Sequence, residues 1–291
     1  MATSPAHQFG QIIGDAVEEA VIPLLTQFAK EHGLYLDKKG DRACRSGKKC
    51  SWVDLNKNSH DLDFVLERGG TRFRRGMPVA FIETAWRRYT KHSRNKVQQI
   101  QGAILPLIET YRNSAPFPGV ILAGVFTGGA LTQLRSLGFT VLFFPYETIV
   151  DVFKKSGIDA AFDETTPAAV FRRKIAAYKA LSAAKRKRLH AELLRANSES
   201  VKDFIASLSV AVLRQIERII VLPLHGTGHE MISVEDAIRF IQNYDEAANV
   251  DSFERYEIQV RYNNGNRIEA TFGDKNAAID FLRIYQPVTP E

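Results

Sequence analysis

The sequence predicts an α/β fold: a mixed sheet flanked by helices, followed by a helical region and a small C-terminal α+β module. Three observations carry the prediction. Short apolar runs at 78–82 (PVAFI), 119–126 (GVILAGVF) and 139–145 (FTVLFFP) have the length and composition of strands buried on both faces. The second and third runs are separated only by the short helical stretch TGGALTQLRSLG, so they are expected to pair in parallel through a crossover. Amphipathic helical patterns at 9–31 and 94–112 supply the layers that would cover such a sheet.

Taken in order, residues 9–31 place Ile12, Ile13, Ala16, Val17, Ala20, Val21, Leu24 and Phe28 at the spacing of one helix face, with His32-Gly33 as the stop. A polar Gly- and Lys-rich stretch (37–49) precedes SWVDL, read as a strand near 52–55. HDLDFVLERGG alternates as a strand over 60–67, closed by Gly69-Gly70. After the basic loop TRFRRGM comes the apolar strand at 78–84. Ser93 is the expected N-cap of the helix whose stripe is Val97, Ile100, Ile104, Leu107, Ile108 and Tyr111. A helix at YETIVDVFKKSG follows the third apolar strand, and the pattern then stays helical to Leu222. The tail reads as a helix after Ser233, two strands turning at Asn263-Asn264-Gly265, and a last helix, DKNAAIDFLRIY. No internal repeat is evident at this level. The expected domains are a core over 1–155, a helical region packed on it over 156–222, and the module over 223–291.

Composition narrows the function class. Of 291 residues, 45% are hydrophobic and 25% charged, which fits a globular protein and excludes disordered, collagenous and disulfide-rich classes. No apolar run is long enough to span a bilayer and the first ten residues do not resemble a signal peptide, so a cytoplasmic location without membrane contact is expected. Cys44 and Cys50 lack the further ligands of a structural zinc site and are expected to be reduced thiols. His225 and His229 likewise lack a third ligand.

The net charge of +6 is unevenly spread. Residues 1–200 hold 30 Lys/Arg against 19 Asp/Glu, a net +11, whereas residues 201–291 hold 9 against 14, a net −5. Nine of the bases lie between Arg68 and Lys96, with Glu83 as the one acid and Phe73, Trp86 and Tyr89 interleaved. Such density points to a polyanion, with Arg72, Arg74, Arg75, Arg87, Arg88, Arg94 and Lys96 as the expected DNA contacts. A second run, Arg172 to Arg188, contains eight bases and no acid and forms a basic ridge if it is one helix.

Within this basic region the chemistry rests on two carboxylates. Asp63 stands in DLDFVLE and Glu83 closes PVAFIE, 20 positions later. If their strands are antiparallel neighbours, both can converge on one site and, with waters and a phosphate oxygen, hold Mg²⁺. An unpaired carboxylate ending a buried strand is costly, so Glu83 needs either a metal or an ion pair such as Arg87 or Arg88 would provide.

The order helix, three strands, helix, strand, helix, strand over residues 9–150, together with Asp63 and Glu83, resembles the PD-(D/E)XK nuclease superfamily and, within it, the type II restriction endonucleases. The resemblance implies a restriction-endonuclease-like mixed sheet and Mg²⁺-dependent, sequence-specific cleavage of double-stranded DNA by a homodimer. It implies Asp63 and Glu83 as metal ligands, with Asp61 as the near alternative to Asp63 and with Glu18 or Glu19 of the first helix as an added ligand; Glu19 is the one carried forward. The sequence departs at the third motif position, where Glu83-Thr84-Ala85 replaces Glu-x-Lys. Lys91 is the preferred substitute base, followed by Arg87, Arg88 and Lys96. Ala85 also motivates an alternative, a non-catalytic DNA-binding protein on a nuclease fold.

Overall fold

The computed structural model describes residues 4–224, 227–248 and 253–286. The chain divides into two compact units, Met1–Val212 and Leu213–Glu291. Among the described residues, no helix is long and apolar enough to cross a membrane.

The first unit opens with α1 (Pro5–Glu31), capped by the Ser4 hydroxyl accepting from the His7 N–H and ending where Gly33 takes a left-handed φ of 63°. Strand β1 (Leu34–Lys38) follows, then a hairpin of β2 (Cys50–Val53) and β3 (Ser59–Leu62), then β4 (Phe64–Arg68) and β5 (Met77–Arg87). Next come α2 (Ser93–Thr110), β6 (Phe117–Gly124), α3 (Gly128–Ser136), β7 (Thr140–Pro145) and α4 (Tyr146–Lys155). The main sheet has the order β1-β4-β5-β6-β7, antiparallel through β5 and parallel from β5 to β7. This is the α/β fold with a mixed sheet that the apolar runs predict.

Two corrections concern strands. The first strand of the core is Leu34–Lys38, not the segment near 52–55, which lies in the separate β2–β3 sheet. Leu34–Lys38 reads as polar because Asp37 and Lys38 sit in it. Asp37 is nevertheless buried, held by Arg42 and Arg45. Second, the single strand expected over 60–67 is broken at Asp63, so Asp61 lies in the β2–β3 sheet and Asp63 in the bend that leads into the main sheet.

Alternation in β5 divides the core. Ala80 and Ile82 face α1, with α4 and the later helices on the same side. Phe81 and Ala85 face α2, α3 and the β2–β3 hairpin. The helices α5 (Ala168–Lys179), α6 (Ala183–Ala196) and α7 (Ser198–Val212) complete the first layer through Phe171, Ile175, Leu189, Leu193, Phe204 and Leu208. A break at Ser182, which caps α6, divides the basic run between two helices.

At the β4–β5 turn a buried ion cluster ties the sheet to its loops. Arg42 makes a two-pronged contact with Glu67, reaches Asp37 at 2.8 Å, and donates to the carbonyls of Thr71 and Arg74. Removing it strands Glu67 without its countercharge and leaves Asp37 to Arg45 alone, so Arg42→Ala is expected to cost about 3–5 kcal/mol. Urea unfolding checks this, and a loss below 1 kcal/mol contradicts it.

The second unit begins with β8 (Ile216–Pro223), which the long helical pattern concealed; the expected boundary at 222/223 therefore moves to 212/213. Then follow β9 (His229–Met231), α8 (Val234–Asn243), β10 (Tyr256–Tyr262), β11 (Arg267–Phe272) and α9 (Lys275–Arg283), with sheet order β11-β10-β8-β9. The unit is hairpin plus helix, twice. Ala237, Ile238, Phe240, Ile241 and Tyr244 recur as Ala278, Ile279, Phe281, Leu282 and Tyr285, and Ser233 and Asp274 cap the two helices alike. The expectation of no internal repeat is thus corrected. The likeness is confined to ten-odd helix positions while the strands share only alternation, which hides it from a linear reading.

Candidate active site

Residues at the end of β5 gain their placement from strand register. Phe64 lies opposite Ile82, so the next pair outward is Asp63 and Glu83. Asp63 sits in the bend between β3 and β4, where its Oδ2 accepts from both the N–H and the hydroxyl of Thr84, each at 2.7 Å. The carboxylate thereby satisfies a strand N–H and is locked beside Glu83. The expected convergence of these two acids holds.

Glu83 is buried, and its pKa is pushed up to about 8 by burial first and by Asp63 second, with Lys96 and the Asp63 backbone N–H opposing. Its partner is Lys96 of α2, whose Nζ lies 3.7 Å from Oε2. Glu83 and Ala85 share the β5 face that looks toward α2, so Lys96 reaches Glu83 from the facing helix. Glu18, half-buried on α1, is pushed up to about 7 by burial, then by Asp63 and Asp15, with Lys39 opposing.

The other expected site residues are placed elsewhere. Lys91 is exposed and pairs with Glu164 at 2.7 Å. Glu19, one position on from Glu18 in α1, turns toward α6 and lies 3.6 Å from His190. Asp61 pairs with Lys49 and the Ser51 hydroxyl in the β2–β3 hairpin. Arg72, Arg74 and Arg75 belong to the turn before β5; the six residues from Met77 to Glu83 at about 3.3 Å each put that turn about 20 Å from the carboxylates. Arg74 donates to the Gly69 carbonyl, while Arg75 donates to Ser51 and lies over Trp52. Arg88 donates to the Phe162 carbonyl and stacks over Tyr146, a framework role. Arg94 is exposed at the start of α2, and Arg87 is half-buried at the end of β5. Neither Arg87 nor Arg88 is the ion-pair partner of Glu83.

A cleft of about 460 Å³ adjoins the carboxylates. Its lining includes Glu18, Thr84, Ala85, Trp86, Arg87, Tyr89 and Lys96, while Asp63 and Glu83 lie behind Thr84 and Ala85 in the strand pair.

Sequence reasoning ranked Lys96 last among the substitute bases and, of Glu18 and Glu19, carried forward Glu19. A helical signal for Lys96 and Glu18 exists. Lys96 is three residues after buried Ser93 and four before buried Ile100, at the edge of the stripe that packs on the sheet. Glu18 follows cleft-lining Gly14 by one turn.

Among the described residues, no three His, Cys, Asp or Glu gather closely enough to enclose a metal ion by themselves. Mg²⁺ does not require that, being commonly held by one or two carboxylates with waters and substrate phosphate. The donors here fit such an ion: hard oxygens, with the Glu18 and Glu83 carboxyls both held above their ordinary range by burial and by neighbouring carboxylates. The two cysteines are free thiols, and His225 lies outside the described residues.

No protein-family profile matches the chain, and no curated protein does. A solved structure titled "Crystal Structure of Protein of Unknown Function AF1548" aligns with 63% of this chain and 99% of its own, at 11% identity and a TM-score of 0.27. That score is too low for a shared fold to follow.

Proposed function

We propose that this chain is a Mg²⁺-dependent DNA endonuclease of the PD-(D/E)XK type, with Lys96 in place of the motif lysine. The observation that carries the reading is the placement of Lys96 Nζ, 3.7 Å from Glu83 and over the face where the sequence has Ala85. Asp63 and Glu83 would hold the metal, and Glu18 would stand beside them. When bound, the ion supplies charge neutralisation at the phosphate and a more acidic water.

The chain's own groups have separable tasks. Thr84 engages Asp63 Oδ2 with both its donors, which fixes the carboxylate and leaves Oδ1 available. Glu83 accepts a proton more readily than an ordinary carboxylate and must be ionised to act as a ligand. Lys96 keeps a donor within reach of Glu83 and can bond a phosphate oxygen or orient the attacking water. The restriction-type form of the reading takes double-stranded DNA as substrate. With one site per chain, cutting both strands then requires a homodimer.

Incubation with plasmid and genomic DNA in Mg²⁺ or Mn²⁺ tests the proposal, with discrete or limit fragments as the expected result. Asp63→Asn keeps an acceptor for Thr84 yet removes the charge; cleavage should fall at least about a hundredfold, with DNA retention in a gel-shift assay unchanged. Equal cleavage by this variant removes the proposal. DNA binding without cleavage in either metal leaves a non-catalytic binding protein.

A further inference from the structure

The cleft beside the carboxylates contains a cation that the catalytic reading does not use. Arg87 is half-buried there, and its guanidinium donates to the Trp86 carbonyl. Among the described residues no carboxylate lies within ion-pairing distance of it, and burial alone pushes its pKa below the ordinary value. A guanidinium withdrawn from water without a countercharge is costly unless an anion completes it. Lys96 lines the same cleft.

The opposite character prevails around these cations. Trp86 supplies an aromatic wall, Tyr89 and Phe162 lie beside it under the Arg88 guanidinium, Asp15 and Glu18 line the α1 side, and the cleft's volume of about 460 Å³ is that of a small-ligand site. Gly10 and Gly14, one turn apart on α1, allow Trp86 to seat against the helix; a Cβ at Gly10 would fall 3.3 Å from the indole nitrogen. Ala85 and Ala123 keep the floor low. An aromatic wall with a cation at its rim, next to phosphodiester chemistry, matches a nucleotide with its base on the wall and its phosphate at the rim. A paired base within a double helix presents no free ring to such a cleft. An extruded base or an unpaired strand end does.

We infer that this cleft receives one unpaired nucleotide of the DNA, the base against Trp86 and the phosphate on Arg87. The inference rests on the nucleolytic reading of the neighbouring carboxylates, and it narrows the substrate to DNA with an unpaired or extruded nucleotide at the cut.

Binding to the full-length protein in EDTA separates this inference from cleavage. The probes are a fluorescein-labelled oligothymidylate, a blunt duplex of the same length and dTMP as competitor. The single strand should bind at least about tenfold more tightly than the duplex, and Arg87→Gln should weaken it by about the same factor while Arg87→Lys retains part of the affinity. Tryptophan emission should be quenched on binding, and the quench should be lost in Trp86→Phe. Competition by dTMP alone would assign the cleft to a free nucleotide rather than a strand, overturning the substrate narrowing. Equal affinity for duplex and single strand, or full affinity in Arg87→Gln with an unaltered melting temperature, overturns the inference. If the single strand binds as described and no metal supports cleavage, the nuclease reading fails and the cleft stands. If duplex is cut while Arg87→Gln cuts and binds normally, the reverse holds.

Discussion

Glu83→Gln is expected to stabilise the metal-free protein at alkaline pH while abolishing cleavage. The sign follows from the direction of the shift. The carboxyl titrates near 4.5 as a free group and at about 8 in the fold, so between these values the folded chain holds a proton that the unfolded chain has released. This contribution to stability is present in full below about 4.5, declines as pH rises, and is lost above 8. At 1.36 kcal/mol per pH unit the decline is of order 3–5 kcal/mol, and since the shift already contains the opposing Lys96 contact, the variant should gain about that much at pH 9. Near pH 4.5 the two proteins should melt together. Mg²⁺ should raise the melting temperature of the native protein at pH 8 and leave the variant nearly unmoved, because a ligand stabilises only the state that binds it. Parallel pH profiles for the two proteins would show that Glu83 is not under this charge burden.

Lys96→Ala is expected to reduce cleavage by about 10²–10³, the range found when one preorganised donor to a transition-state charge is removed. Lys91→Ala, by contrast, should leave it within about twofold, since that ammonium is occupied with Glu164 on the surface. Lys96→Arg should recover part of the loss. A further signature separates chemistry from folding: without Lys96 the Glu83 carboxyl loses the cation that opposes its upward shift, so the acidic, rising limb of residual activity should move to higher pH. Equal rates for Lys91→Ala and Lys96→Ala would return the assignment to the loop.

The parallel half of the sheet was legible because β6 is buried on both faces and β7 is apolar throughout after Thr140; composition alone marks such strands. The antiparallel half was less so. Leu34–Lys38 contains a buried aspartate whose compensation comes from Arg42 and Arg45, residues that lie beyond the strand and cannot be paired with it by periodicity. Asp63 and Glu83 were found because strand ends carry a strong local signal. Lys96 was ranked last because it reaches Glu83 across space, one helix turn into α2, whereas proximity in sequence favoured Lys91. The choice between Glu18 and Glu19 turned on 100° of helix rotation, which adjacent identical residues do not resolve. Local basic density also misled: Arg72, Arg74 and Arg75 are close to Glu83 in number and a strand's length from it in space.

The doubled hairpin and helix of the second unit make it an internal dimer. Its central pairing, β8 with β10, is the junction between copies, and α8 packs with α9 much as equivalent helices would across a twofold axis. Each half alone would leave one edge of its hairpin and one flank of its helix bare, so neither can persist without its twin. Covalent linkage places the twin at high effective concentration and frees the two copies from identity. Asp236 has already become Ala277, and Arg239 has become Asp280. The plan is symmetric and the surface is not.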